Sequence, residues 1–252
     1  MNKKFAIMTA MQEESAALVS EMDVRETVCI GRRDYHTGYL CGQQIVLVFS
    51  HWGKVAAAIT ASCLISDFGV DEIIFTGVAG AIDESVSIGD IVVAENLYQH
   101  DMDVRPILAR HEIPLLGTSE IGASPQIKEK LLQAANNFIK NDLHSALKDG
   151  VENTDFTFNP SAISADIASG DQFIAQSEHA NDIRSRLPGV ACVEMEGAAV
   201  AQVCNSYNLP FGVVRTISDS ANHSSQNDFN GFILDKAKIY SLGIVKQYLA
   251  DI

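Results

Sequence analysis

The chain has 252 residues, of which 47% are apolar and 20% charged, proportions that suit a globular domain with a sizeable core and exclude a disordered or coiled-coil chain. Its 18 basic against 32 acidic side chains leave a formal net charge of −14. That balance opposes nucleic acid and anionic lipid, which bind through clustered Lys and Arg.

Read in chain order, Met1-Asn2-Lys3-Lys4 leads into a short apolar stretch that runs straight into Gln12-Glu13-Glu14. It lacks the small-residue cleavage site of a signal peptide and reads as a first strand over residues 4–10. A helix is expected at 12–22, then strands at 27–30, 35–40 and 44–50. The small and apolar residues from 53 to 68 indicate a buried helix. A short buried strand over 72–75 runs into Thr76-Gly77-Val78-Ala79-Gly80, expected as a glycine turn, either plain or close to a ligand. Another strand follows at 89–94.

Residues 101–160 form a variable segment with a Pro-bearing loop, a helix near 126–139 and a polar stretch to Pro160. Strand and helix then alternate: strand 161–168, helix 177–186, strand 190–193, helix 198–207, strand 211–217 and a closing helix over 230–249. This order predicts an α/β fold in one domain spanning 1–252. No segment holds the roughly 18 uninterrupted apolar residues of a membrane span. Five cysteines, odd in number and without CxxC or Cys/His ligand spacing, read as free thiols in a reducing cytoplasm, with no metal site.

In open α/β sheets, ligands settle beyond the carboxyl ends of the strands. The polar residues at those places are Glu13 and Glu14, Thr76 and Gly77, Ser169-Gly170-Asp171, Glu194 and Glu196, and Ser218-Asp219. Carboxylates recur there, and no nucleophile–base order stands out. Such a set suits acid/base chemistry on a polyhydroxylated substrate, one carboxylate activating water while another group protonates the leaving atom. Each acid taken singly also fits a solvated loop or a helix cap.

Six segments carry more. Ala10-Met11-Gln12-Glu13-Glu14, Gly53-Lys54-Val55-Ala56-Ala57-Ala58, Thr76-Gly77-Val78-Ala79-Gly80, Ser169-Gly170-Asp171-Gln172-Phe173-Ile174, Val193-Glu194-Met195-Glu196-Gly197-Ala198-Ala199 and Val214-Arg215-Thr216-Ile217-Ser218-Asp219 stand in one order along the chain. In these, over roughly 4–100 and 161–250, the sequence resembles bacterial 5′-methylthioadenosine/S-adenosylhomocysteine nucleosidases of the nucleoside phosphorylase/nucleosidase superfamily. The resemblance implies a three-layer α/β/α sandwich around a mixed, twisted central sheet. It also implies a homodimer and no metal or organic cofactor.

Carried over by residue, the resemblance makes Asp219 the acid that protonates adenine N7, with Ser218 orienting it. Glu14 would act on the attacking water and Arg215 would orient both. Glu196 would accept hydrogen bonds from the ribose hydroxyls beside Glu194, with Met195 against the sugar. Phe173 would stack on adenine and the Ile174 backbone would read the purine edge. Met11, Val78 and Trp52 complete the binding residues, Trp52 either covering the sugar and 5′ side or packing in the core.

The nucleophile divides the superfamily. Phosphorylases end the first strand in Gly-Asp-Pro and place arginines for phosphate, whereas this chain reads Met11-Gln12-Glu13-Glu14. Two like charges at about 4 Å repel by roughly 4 kcal/mol at an effective dielectric of 20, which favours water over phosphate. Val78, where many relatives carry serine, removes a hydroxyl that would serve phosphate in phosphorylases or water in nucleosidases, and so also disfavours a phosphorylase. His51-Trp52 and residues 100–117 depart from the common pattern, and the latter region serves the 5′ pocket and subunit contact in relatives. The expected activity is hydrolysis of 5′-methylthioadenosine, with S-adenosylhomocysteine and 5′-deoxyadenosine as further candidates. The alternatives are a phosphorylase, a nucleosidase for another 5′-modified nucleoside such as aminofutalosine, and a non-catalytic nucleoside-binding protein.

Overall fold

The computed structural model describes residues 3–150, 159–222, 225–232 and 236–252. From the N-terminus run β1 (Lys4–Thr9), α1 (Gln12–Glu21), β2 (Asp23–Ile30), β3 (Arg33–Leu40), β4 (Gln43–Phe49), α2 (Lys54–Ser66), β5 (Glu72–Ala81) and β6 (Ile91–Gln99). The middle holds β7 (Glu120–Gly122), α3 (Pro125–Asn141) and α4 (Leu143–Gly150). Then come β8 (Ala162–Ser169), α5 (Ser177–Arg186), β9 (Val190–Glu194), α6 (Gly197–Tyr207), β10 (Phe211–Asp219), α7 (Ser225–Phe232) and α8 (Lys238–Ala250).

Strand alternation sorts the apolar residues into two helical layers. Ala6 and Met8 of β1 face Ala57, Ala61 and Leu64 of α2 and Val200 of α6. Phe5 and Ile7 face the opposite way, toward Leu18 of α1, Leu131 of α3 and Tyr240 and Tyr248 of α8. The sheet between them is mixed, in the order β10-β6-β8-β9-β5-β1-β4-β3-β2, with β10 also pairing β5. It curls so far that β5, β10, β6, β8 and β9 close into a ring. This is the α/β/α arrangement expected from the sequence.

β5 carries the feature that makes room for a ligand. It runs parallel to β1 over Glu72–Thr76 and meets β9 antiparallel only at Gly80 and Ala81. Between those two neighbours the sheet splits, and the carboxyl ends of β1, β5 and β9 converge on the gap. β10 lines the other side of β5, from Phe211 to Asp219.

The expected glycine turn is therefore corrected: Thr76-Gly77-Val78-Ala79-Gly80 continues β5, wholly buried. Its glycines answer to side-chain crowding rather than to chain reversal. A Cβ at Gly77 would lie 2.7 Å from the Ala10 Cβ and 3.2 Å from Arg215 Nη1, and one at Gly80 would lie 2.8 Å from Asp219 Oδ1. Two other boundaries change. The strand expected at 89–94 extends as β6 to Gln99 through an irregular register at Ala94/Leu97. The single closing helix is divided between α7 and α8, with residues 233–235 outside those described. In the polar stretch before Pro160 the structure adds α4 over Leu143–Gly150, while residues 151–158 lie outside those described.

Candidate active site

The split in the sheet opens into a cavity of about 350 Å³. Its floor comes from Ala10 and Met11 after β1, Val78 to Gly80 of β5 and Val193 to Glu196 at the end of β9 and just beyond it. Asp219, Phe173, Ile174 and Trp52 complete the sequence-expected wall, and Gln172 and Phe229 join them. Glu14, Arg215 and Ser218 are absent from this lining; they stand behind it, fully buried.

Asp219 closes β10 with its carboxyl almost wholly out of solvent. Burial raises its pKa above the ordinary carboxylate range, against the donors that hold it. The Ala221 N–H donates to Oδ1 at 2.9 Å. The Ser218 hydroxyl sits 2.9 Å from Oδ2 and 3.3 Å from the Ala79 carbonyl, and so fixes the carboxyl plane. The result is an oriented acid biased toward carrying its proton.

Across the cavity, Glu194 and Glu196 flank Met195 but do different work. Glu194 is consumed by the protein: its carboxylate accepts from the Gly197 N–H (2.8 and 3.0 Å), the Glu196 N–H (3.1 Å), the Ser169 hydroxyl and Arg215. It crosses the N-terminus of α6, where free N–H groups favour an anion. Glu196 keeps more of itself available. Its Oε1 accepts the Gly53 N–H at 2.8 Å, offered at the start of α2. Burial, and then the charge of Glu194, push its pKa up to about 7.

Arg215 departs from the expected contact with Glu14. Its Nη2 is 2.6 Å from Glu194 Oε2, Nη1 donates to the carbonyls of Val214 and Phe75, and Cζ lies 4.1 Å from the Phe75 ring centroid. It reaches Glu14 only through its charge, which draws that carboxyl's pKa down.

Glu14 sits in the first turn of α1, with Oε2 accepting the Met11 N–H at 2.9 Å. This return bond closes the helix end, as in a capping box. Oε1 accepts the Ser241 hydroxyl from α8, and the Ser241 Oγ is 2.8 Å from Thr76 Oγ1 of β5. Burial raises the Glu14 pKa to about 7 despite these bonds and Arg215.

At the other end, Phe173 is half-exposed and meets Phe229 edge-on, with ring centroids 5.6 Å apart. Trp52 is 64% exposed, so it is a wall and not core. Its Nε1 donates to the Ala10 carbonyl at 3.0 Å, holding the indole over the mouth. A second cleft, bounded by His51, Phe49 and Glu13, shares Met11, Trp52 and Phe229 with the first. Residues 100–117 lie away from the lining: His100 and His111 are buried, and Arg186 Nη1 donates to the His100 carbonyl at 3.1 Å and lies 3.2 Å from His111 Nε2.

Sequence reading missed Phe229, an aromatic in a polar stretch with no motif around it. It also passed over Ser241, whose signal was a hydroxyl on an otherwise apolar helix face. Gly53 and Ser169 stood in the quoted motifs, but nothing local said whose carboxylates they serve.

The sequence profile of the phosphorylase superfamily matches residues 4–250. A 5′-methylthioadenosine/S-adenosylhomocysteine nucleosidase of Shewanella denitrificans is 34% identical over 99% of this chain and 100% of its own length. The crystal structure of such a nucleosidase from Neisseria meningitidis, in complex with methylthio-immucillin-A, superposes with a TM-score of 0.86 at 30% identity, covering 99% of this chain and 100% of that one. Futalosine hydrolase of Helicobacter pylori superposes with a TM-score of 0.84 at 28% identity, over 99% and 98%. Matched end to end in sequence and fold, the chain belongs to the phosphorylase superfamily and, within it, to the 5′-methylthioadenosine/S-adenosylhomocysteine nucleosidase family.

Proposed function

We propose that this chain is an N-glycosyl hydrolase that releases adenine from 5′-methylthioadenosine, with S-adenosylhomocysteine and 5′-deoxyadenosine as further substrates. The observation that carries the hydrolytic reading is the charge of the cavity. Among the described residues its lining holds Glu194, Glu196 and Asp219 and no Lys, Arg or His. A phosphate nucleophile would find no cation there, while a sugar that becomes positively charged as its bond to N9 breaks would find nearby carboxylates.

In this reading adenine stacks on Phe173 with its edge met by the Ile174 backbone, and Asp219 delivers its proton to N7 so that a neutral base departs. Glu196 accepts the ribose hydroxyls, and Met195 packs on the sugar. Glu14 takes the proton from water as its oxygen bonds to C1′. Met11, Trp52 and Phe229 border the 5′ substituent. The likeness to futalosine hydrolase and the adjoining second cleft favour a larger 5′ group as the second reading.

A homodimer fits the exposed apolar side chains of α2 and the 100–117 segment: Val55, Ile59, Ile107 and Leu115 all face outward. Five unpaired thiols fit a reducing cytoplasm. The deciding experiment incubates the protein with 5′-methylthioadenosine, with and without phosphate, and follows free adenine. Phosphate-independent release is expected; release that requires phosphate makes the chain a phosphorylase. No release from a panel of 5′-substituted adenosines makes it a binding protein.

A further inference from the structure

Glu14 is a buried carboxyl whose surroundings must tolerate two protonation states in each turnover. Its Oε2 has a fixed partner, the Met11 N–H, which can only donate. Its Oε1 meets Ser241, a hydroxyl that can donate or accept, backed at 2.8 Å by a second hydroxyl, Thr76. All three side chains are buried, and they come from α1, α8 and β5. The charged side chain that acts on Glu14 from outside this group is Arg215 of β10. Ser241 lies between Tyr240 and Ile244 on the face of α8 that packs into the apolar layer. A hydroxyl there has no packing advantage over alanine.

We propose that Ser241, with Thr76 behind it, is a positioning residue that holds Glu14 for proton abstraction and accommodates both its ionised and protonated forms. This rests on the nucleosidase reading. Before the step, the Ser241 O–H donates to the Glu14 carboxylate and Thr76 donates to Ser241. As water loses a proton to Glu14 and its oxygen bonds to C1′, the carboxylate becomes a carboxylic acid. The Ser241 hydrogen then turns toward Thr76, and its oxygen accepts from the new acid O–H. The two hydroxyls exchange direction and not protons, so the proton count at Glu14 changes only through the water.

The donor to the ionised form lowers the Glu14 pKa against its burial. Ser241→Ala removes it and is expected to move the acidic limb of kcat/KM upward by roughly 0.5–1 pH unit, about a three- to tenfold loss below the limb. Activity should recover at higher pH. Ser241→Thr keeps the hydroxyl and should restore the wild-type limb. Thr76→Val should shift it in the same direction by less, and carries the test if Ser241→Ala does not fold. A uniform loss at every pH, with the limb unmoved, overturns the proposal.

The same question is answered without catalysis by titrating the 13C-labelled Glu14 carboxyl, assigned by its disappearance in Glu14→Gln. A higher pKa in Ser241→Ala supports the proposal, and an unchanged one overturns it. Absence of adenine release from the wild type would instead defeat the nucleosidase reading, and the carboxyl titration would still decide the role of Ser241.

Discussion

Arg215 Nη2 lies 2.6 Å from Glu194 Oε2, with Glu194 in the cavity wall, Arg215 behind it and both side chains buried. The pair is a strut. Glu194 ties the start of α6 to β8 through Ser169, while Arg215 ties β10 to β5 through the Phe75 carbonyl. Isolated charges at this depth would be costly, and only full pairing and hydrogen bonding make them tolerable. Glu196 and Asp219 are held from the two sides of this strut, which makes it a determinant of site geometry.

Glu194→Ala should therefore cost about 3–5 kcal/mol of stability, since it leaves the Arg215 guanidinium buried and unpaired. The double variant Glu194→Leu, Arg215→Met should recover much of that loss in urea denaturation while remaining poorly active. A double variant no more stable than Glu194→Ala would show that the pair is a net source of stability.

Asp219→Asn preserves shape and removes the proton. Its kcat should fall by roughly 10²–10⁴-fold, the usual weight of a positioned acid. Binding of a nucleoside analogue, measured by calorimetry, should persist. Full activity in this variant would remove Asp219 from the mechanism.

Gly80→Ala tests position instead of protonation. Its Cβ would lie 2.8 Å from Asp219 Oδ1, so the acid must move while the strand persists. A loss in kcat of roughly 100-fold is expected, as for displacements of about 1 Å at a reacting centre. Circular dichroism should stay unchanged. Wild-type turnover would mean that the carboxyl has slack in its setting.

Glu14 is raised from the ordinary 4.5 to about 7, so the folded state binds the extra proton. The stability this contributes is complete below about pH 4.5 and is lost as pH rises through about 7. Glu196 titrates in the same direction. Glu14→Gln removes one of these charges, and Ser241 can turn to accept from the new amide. Its Tm should exceed that of wild type by roughly 2–4 °C per kcal/mol at pH 8, with the difference closing near pH 5. A difference independent of pH contradicts this assignment.

Phe173→Ala should act mainly on KM. A base stacked on an aromatic ring gains about 1–3 kcal/mol, so KM for 5′-methylthioadenosine should rise roughly tenfold with a smaller change in kcat. A fall in kcat with KM unchanged would place Phe173 in packing against Phe229 alone.

The sequence by itself determined the α/β class, the strand and helix order outside residues 101–160 and the closing helices, and the positions of the acids at strand ends. These follow from local information: apolar periodicity, strand length and motif order survive without knowledge of the partner strands. Tertiary structure decided what each acid does. Glu194 and Glu196 stand two residues apart in similar chemical dress, yet one is spent on Arg215, Ser169 and α6 while the other is held by backbone N–H groups. The glycines at 77 and 80 looked like a turn because a sequence shows the missing side chain but not the one that fills its space. Ala10, 67 positions before Gly77, and Arg215 and Asp219, more than 130 positions after, are what crowd them. Ser241 reaches Glu14 across 227 positions for the same reason. Hydrogen bonds and burial depend on distance in space, and in this chain the decisive distances are set by the curl of the sheet that brings β1, β5, β9 and β10 to one gap.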